Sequence, residues 1–138
     1  MRIVVDTNVW VSAALAPGPP RDVLHSWVSN NSIEVVMCFE LYEEISEVLL
    51  QREKIKKWLT ADEAHKFLDA IEVLINFVPN PTVDDVGLRD SDDSYIVALA
   101  RRYDCEYIVT GDRDLLEWPA QQPPCVTPKE FLSKLESC

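Results

Sequence analysis

Apolar residues along the chain follow two rhythms. Ile3-Val4-Val5, Ile33 to Cys38, Phe77-Val78 and Tyr107-Ile108-Val109 are short continuous runs, the pattern of strands covered on both faces. Between them, apolar positions recur every three or four residues: Val23, Leu24, Trp27 and Val28; Leu41, Ile45, Val48 and Leu49; Ile96, Val97 and Ala100. The pattern predicts a strand over 2–7, a helix capped by Asn8 and running to Leu15, and a helix over 21–29 after Pro17-Gly18-Pro19-Pro20. A strand over 33–38 follows, then one long helix over 40–59. Thr60-Ala61-Asp62-Glu63 reads as a capping box opening a helix to Ile75. Ser91 is a candidate cap for the helix ending at Arg102, Cys125-Val126 a short edge strand, and Pro128 the first position of a last helix to Leu135. Strands alternating with helices predict an α/β fold with a mainly parallel sheet, as a single domain over 1–138.

Composition narrows the setting. A hydrophobic content of 47% and a charged content of 27% are ordinary for a soluble globular protein. No apolar run approaches membrane-spanning length, and a strand starting at Arg2 leaves no room for a signal peptide, so no membrane association and a cytoplasmic location are expected. Cys38, Cys105, Cys125 and Cys138 form no C-x-x-C pair and have no histidine at a zinc-like spacing, so they read as reduced thiols. His25 and His65 have no ligand partner nearby in sequence and read as surface or boundary residues. The net charge of −11 argues against a nucleic-acid partner when taken alone. Two basic groups run against it: Arg52, Lys54, Lys56 and Lys57, and the pair Arg101–Arg102, each read first as a solvated helix face.

The acids carry the chemistry. Ile3-Val4-Val5 runs straight into Asp6, and Tyr107-Ile108-Val109 leads through Thr110-Gly111 to Asp112 and Asp114. Parallel α/β sheets bind ligands at the carboxyl ends of their strands, so two strands ending in aspartate suggest one shared site. Glu44 lies at the edge of its helix's apolar stripe, nearer the core than Glu43 or Glu47. Asp92 suits a first helical turn by its charge on the dipole. Asp93 falls on the face of Ile96, Val97 and Ala100 and looks inward, while Asp90 is either a cap or a neighbour of the site. Two carboxylates ~4 Å apart repel by ~4 kcal/mol at an effective dielectric of 20. A cluster of them holds protons or cations. Oxygen donors without histidine or thiolate favour Mg²⁺ or Mn²⁺, ions that promote phosphodiester hydrolysis.

The ordered set Val5-Asp6-Thr7-Asn8, Glu44-Ile45, Arg89-Asp90-x-x-Asp93, Thr110-Gly111-Asp112-Arg113-Asp114-Leu115-Leu116 and Val126-Thr127-Pro128-x-x-Phe131-Leu132 resembles the PIN-domain family. It is most similar to the branch of toxins from toxin–antitoxin pairs, the VapC-type ribonucleases. The resemblance implies a three-layer α/β/α sandwich and a Mg²⁺- or Mn²⁺-dependent endoribonuclease that acts on RNA, forms a homodimer and is restrained by an antitoxin. By position, Asp6, Glu44, Asp93 and Asp112 match the family's acidic quartet and Asp114 its variable extra acid. Thr110 matches the polar residue that orients the site, with Asn8 and Asp90 beside it. Ser91 departs from the proline common in this branch, which alters the entry to the helix rather than the acids.

Three other readings compete. Phosphatases of the haloacid dehalogenase kind also end their first strand in aspartate, but need a second acid where this chain has Asn8. A non-catalytic metal- or RNA-binding regulator would be expected to have a broken acid set. A housekeeping RNA-processing nuclease would carry these same residues.

Overall fold

The computed structural model describes residues 1–81, 94–118 and 122–137. Four parallel strands form the sheet: β1 (Arg2–Val5), β2 (Glu34–Val35), β3 (Tyr107–Val109) and β4 (Cys125–Val126), in the order β2-β1-β3-β4. In β1, Ile3, Val4 and Val5 are all fully buried. Successive strand residues point to opposite faces, so helices cover the sheet on both sides, giving the expected three-layer arrangement. Register pairs Ile3 with Tyr107 and Val35, and Ile108 with Cys125.

The first strand is shorter than expected, ending at Val5 rather than residue 7. Helix α1 (Thr7–Leu15) starts at once, and its cap is Asp6, not Asn8: the Asp6 carboxylate accepts the Thr7 N–H. Asn8 is thereby freed for the site. Helix α2 (Pro19–Ser29) begins two residues earlier than expected, with proline in its first turn. Its predicted stripe divides, since Val23 and Leu24 are buried while Val28 is 57% exposed. The run Ile33 to Cys38 also divides. Glu34–Val35 pairs with β1, whereas Cys38 makes an isolated parallel bridge to Val78, so Phe77-Val78 forms a single bridge instead of a strand.

The expected helix over 40–59 is two helices, α3 (Phe39–Gln51) and α4 (Glu53–Lys56), separated at Arg52 by an extended backbone, φ −81° and ψ 125°. The reason is visible in the sequence: Gln51-Arg52-Glu53-Lys54 offers no apolar face to bury, and a short helix without one has little to hold it. Helix α5 (Ala61–Leu74) has the predicted capping box, with Thr60 and Glu63 bonding each other's backbone N–H. Helix α6 (Ser94–Arg102) packs on β1 and β3 and is buried all round from Tyr95 to Ala100, not along one stripe. A short helix unforeseen in the sequence, α7 (Arg113–Leu116), follows β3. The last helix, α8 (Pro128–Glu136), carries a second capping box between Thr127 and Glu130, and its Phe131 is fully buried against Tyr107.

The core gathers on both sides of β1. Trp10 is 1% exposed, packs edge-on against Trp27 and Phe67, and donates its indole N–H to the Val5 carbonyl at 2.9 Å. That bond ties α1 to the last residue of β1, one position before Asp6. Cys38, Cys105 and Cys125 are free thiols. No helix among the described residues is long and apolar enough to cross a membrane.

Candidate active site

Strand order decides where a site forms. From β1 the chain moves outward to β2, then returns across to β3 on the other side of β1. The C-terminal ends of β1 and β3 therefore flank the switch point of the sheet, where open α/β folds leave a crevice. Asp6 stands at the first of these ends and Thr110-Gly111-Asp112 at the second.

Asp6 is 8% exposed and fully engaged. One carboxylate oxygen accepts the Thr7 N–H at 2.8 Å; the other accepts the Thr110 hydroxyl at 2.8 Å and the Asn8 amide at 3.0 Å. Burial still pushes its pKa above the ordinary aspartate value. The Thr110 and Thr7 bonds oppose the shift, and the charges of Glu44 and Asp112 add to it. Three carboxylates thus share one electrostatic neighbourhood, and a cation there would relieve all three.

Asn8 and Thr110 bind the two strand ends together. Asn8 donates to Asp6, and its carbonyl oxygen accepts the Gly111 N–H at 2.9 Å. Thr110, fully buried, donates to Asp6 and accepts the Asp112 N–H at 3.0 Å. Gly111 has a packing reason to lack a side chain, because a Cβ there would lie 3.3 Å from the Asn8 carbonyl oxygen. Asp112 in turn caps α7, accepting the Asp114 N–H at 2.9 Å. The Asp114 side chain is exposed and lies outside the cavity lining; its backbone, not its carboxylate, meets Asp112.

Glu44 reaches the same place from α3. Its carboxylate accepts the hydroxyl of Tyr95, which is 8% exposed on α6. Burial raises the Tyr95 pKa far above that of a free phenol, and the Glu44 bond and charge raise it further, so the hydroxyl remains a donor. Tyr95 escaped the sequence reading, which weighed only the acids and aliphatic residues of this helix. Its one signal was position, two residues after Asp93.

Asp6, Glu44 and Asp112 line one open cavity of about 450 Å³, with Asn8, Ser12 and Tyr95 on its walls beside Arg52 and Lys54. Of the expected acids, these three are brought together. Asp90 and Asp93, with Ser91 and Asp92, lie outside the described residues. Among the described residues no group of three His, Cys, Asp or Glu side chains encloses a metal position unaided.

A family model for the PIN domain matches residues 2–114, a span that runs from β1 through Asp114. The chain belongs to the PIN domain family. PIN domains are generally nucleases. This PIN domain is 26% identical over 155 residues to the uncharacterized protein MJ1680 of Methanocaldococcus jannaschii, covering 99% of this chain and 92% of that protein. Its fold is similar to the crystal structure of PAE2754 from Pyrobaculum aerophilum, with a TM-score of 0.66 at 18% identity, covering 100% of this chain and 97% of the other. It is also similar to a chain in the crystal structure of VapBC2 from Rickettsia felis bound to a DNA fragment from their promoter. The TM-score there is 0.62 at 13% identity, with 92% and 98% of the two chains covered.

Proposed function

We propose that this PIN domain is a divalent-metal-dependent endoribonuclease, cutting RNA phosphodiester bonds in the cytoplasm as the toxin of a toxin–antitoxin pair. The observation that carries the reading is the convergence of Asp6, Glu44 and Asp112 on one cavity at the sheet's switch point. The donor set fits Mg²⁺ or Mn²⁺: carboxylate oxygens only, mutually repelling, with the most buried of them already pushed toward its protonated form. Asp6, Glu44, Asp93 and Asp112 would hold the metal; Asp114, whose side chain lies outside the cavity lining, is proposed as an additional ligand on the family resemblance alone. When bound, such an ion supplies an activated water and charge stabilisation for the oxygens around phosphorus.

The chain's own residues do the rest. Asn8 and Thr110 hold Asp6 in one rotamer and fix the distance between the two strand ends. Asp90 is proposed beside them on the family resemblance alone. The Tyr95 hydroxyl fixes the Glu44 carboxylate, which otherwise sits on an exposed helix rim. Support for an antitoxin partner comes from the likeness to a chain of the VapBC2 complex. A homodimer is proposed on the family resemblance.

The test is incubation of the purified protein with structured and single-stranded RNA, with Mn²⁺ or Mg²⁺ and then with EDTA, beside Asp93→Asn. Cleavage that needs the metal and is lost in the variant is the expected result. Metal-independent cleavage, or an Asp93→Asn protein as active as the parent, would overturn the assignment.

A further inference from the structure

A polyanion approaching this chain meets a net charge of −11. At physiological salt, charges more than ~8 Å away are largely screened, so the groups immediately beside the scissile phosphate decide whether a strand can settle. Four of the chain's 13 basic residues, Arg52, Lys54, Lys56 and Lys57, fall within one short segment, and the break between α3 and α4 sets that segment against the acidic cavity. Arg52 and Lys54 line the cavity that holds Asp6, Glu44 and Asp112, yet neither side chain makes a hydrogen bond or ion pair to another described residue. Lys56 differs: it is paired with Glu53 at 3.3 Å. Ile55 also lines the cavity, and its carbonyl accepts the backbone N–H of Trp58, whose side chain is 75% exposed. Trp58 follows Lys54 by four residues, so its exposed indole and the two cavity-lining cations belong to one short segment.

We propose that Arg52, Lys54 and Trp58 form a strand-gripping wall for single-stranded RNA. The two cations hold phosphates flanking the one at the carboxylates, and Trp58 stacks on an unpaired base. This rests on the nuclease reading above. Stacking on an indole requires a base free of its duplex partner, which selects a single strand. The three residues are positioning residues: they bring the substrate to the site and touch no reacting atom.

The experiment measures steady-state cleavage of a short fluorescent oligouridylate across a salt series, for the parent, R52Q/K54Q, R52K/K54R, W58A, W58F, and K66Q/K134Q as a charge-matched control elsewhere. For R52Q/K54Q, KM should rise about tenfold or more with kcat little changed, the mark of lost uniform binding. The slope of log affinity against log salt, read by anisotropy in parallel, should fall by about 1.4 for two phosphates on a single strand. W58A should weaken binding about tenfold, with W58F, R52K/K54R and the control near the parent. A parent that cleaves while R52Q/K54Q and W58A match it in KM and salt slope overturns the wall and leaves the nuclease intact. A fall in kcat with KM unchanged also overturns it. A parent that neither cuts nor binds any RNA overturns the nuclease reading, and the wall with it.

Discussion

Two concavities of similar size mark this molecule, and they are built on opposite terms. The acidic cavity, about 450 Å³, opens at the ends of β1 and β3. A groove of about 400 Å³ lies between α1, α2 and α5, lined by Trp10, Leu24, Trp27, Phe67, Ile71 and Leu74. The groove is lined by side chains that favour burial, and its floor is the core itself. The cavity is the reverse: a carboxylate 8% exposed, raised in pKa by its own burial, and held in place by donors from both strand ends. Apolar packing is mostly favourable wherever it occurs. A buried carboxylate beside two others opposes folding, so the polar framework around it is a candidate site of function rather than a source of stability.

That contrast can be broken by substitution. The largest effect belongs to the groove's floor: Trp10→Ala should cost about 3–5 kcal/mol in urea unfolding, a large part of a typical domain's 5–15 kcal/mol. Its ring contacts and its bond to Val5 are both lost. Asn8→Ala should do the opposite. It removes the link between Asp6 and Gly111 on an exposed residue, so unfolding should change by under about 1 kcal/mol. Metal-dependent cleavage should fall about 10–100-fold because Asp6 loses its orienting partner. If Asn8→Ala instead unfolds like Trp10→Ala with cleavage per folded molecule intact, the division between the two regions is wrong.

The smallest effect lies far from both. In the capping box of α5, the Thr60 backbone N–H, followed by its hydroxyl, lowers the Glu63 pKa below the ordinary value of 4.5. A group depressed on folding contributes stability above its unfolded pKa and loses it as pH falls through the folded one. Glu63→Gln should therefore flatten a small part of the acid limb below about pH 4.5 and leave cleavage at neutral pH unchanged. Melting curves across an acid series measure it.

Much of the site was legible because strand-end acids are a local signal: Ile3-Val4-Val5-Asp6 and Tyr107 to Asp112 read directly, and Glu44 followed from its helical phase. Element lengths were less legible. The stripe predicting one helix over 40–59 was carried across Gln51 to Lys54, where nothing apolar sustains it, and the chain bends there. Asn8 and Asp6 are both good caps by type. Only the bond from Thr7 to the Asp6 carboxylate, with Asn8 turned to Gly111, separates their roles. The basic segment read as a solvated face because spacing along one helix carries no information about a cavity formed by other elements.

The sequence by itself determined which segments bury themselves, where two of the caps sit, and which acids end strands, since each depends on a few neighbouring residues. The tertiary structure decided which of those acids meet. Asp6 and Asp112 are far apart in sequence, and only the order β2-β1-β3-β4 puts their strands side by side. The same packing brings Tyr95 to Glu44 and puts Arg52 and Lys54 on the cavity that the carboxylates line. Such contacts join elements through backbone pairing and core packing, and no local pattern in the chain encodes them.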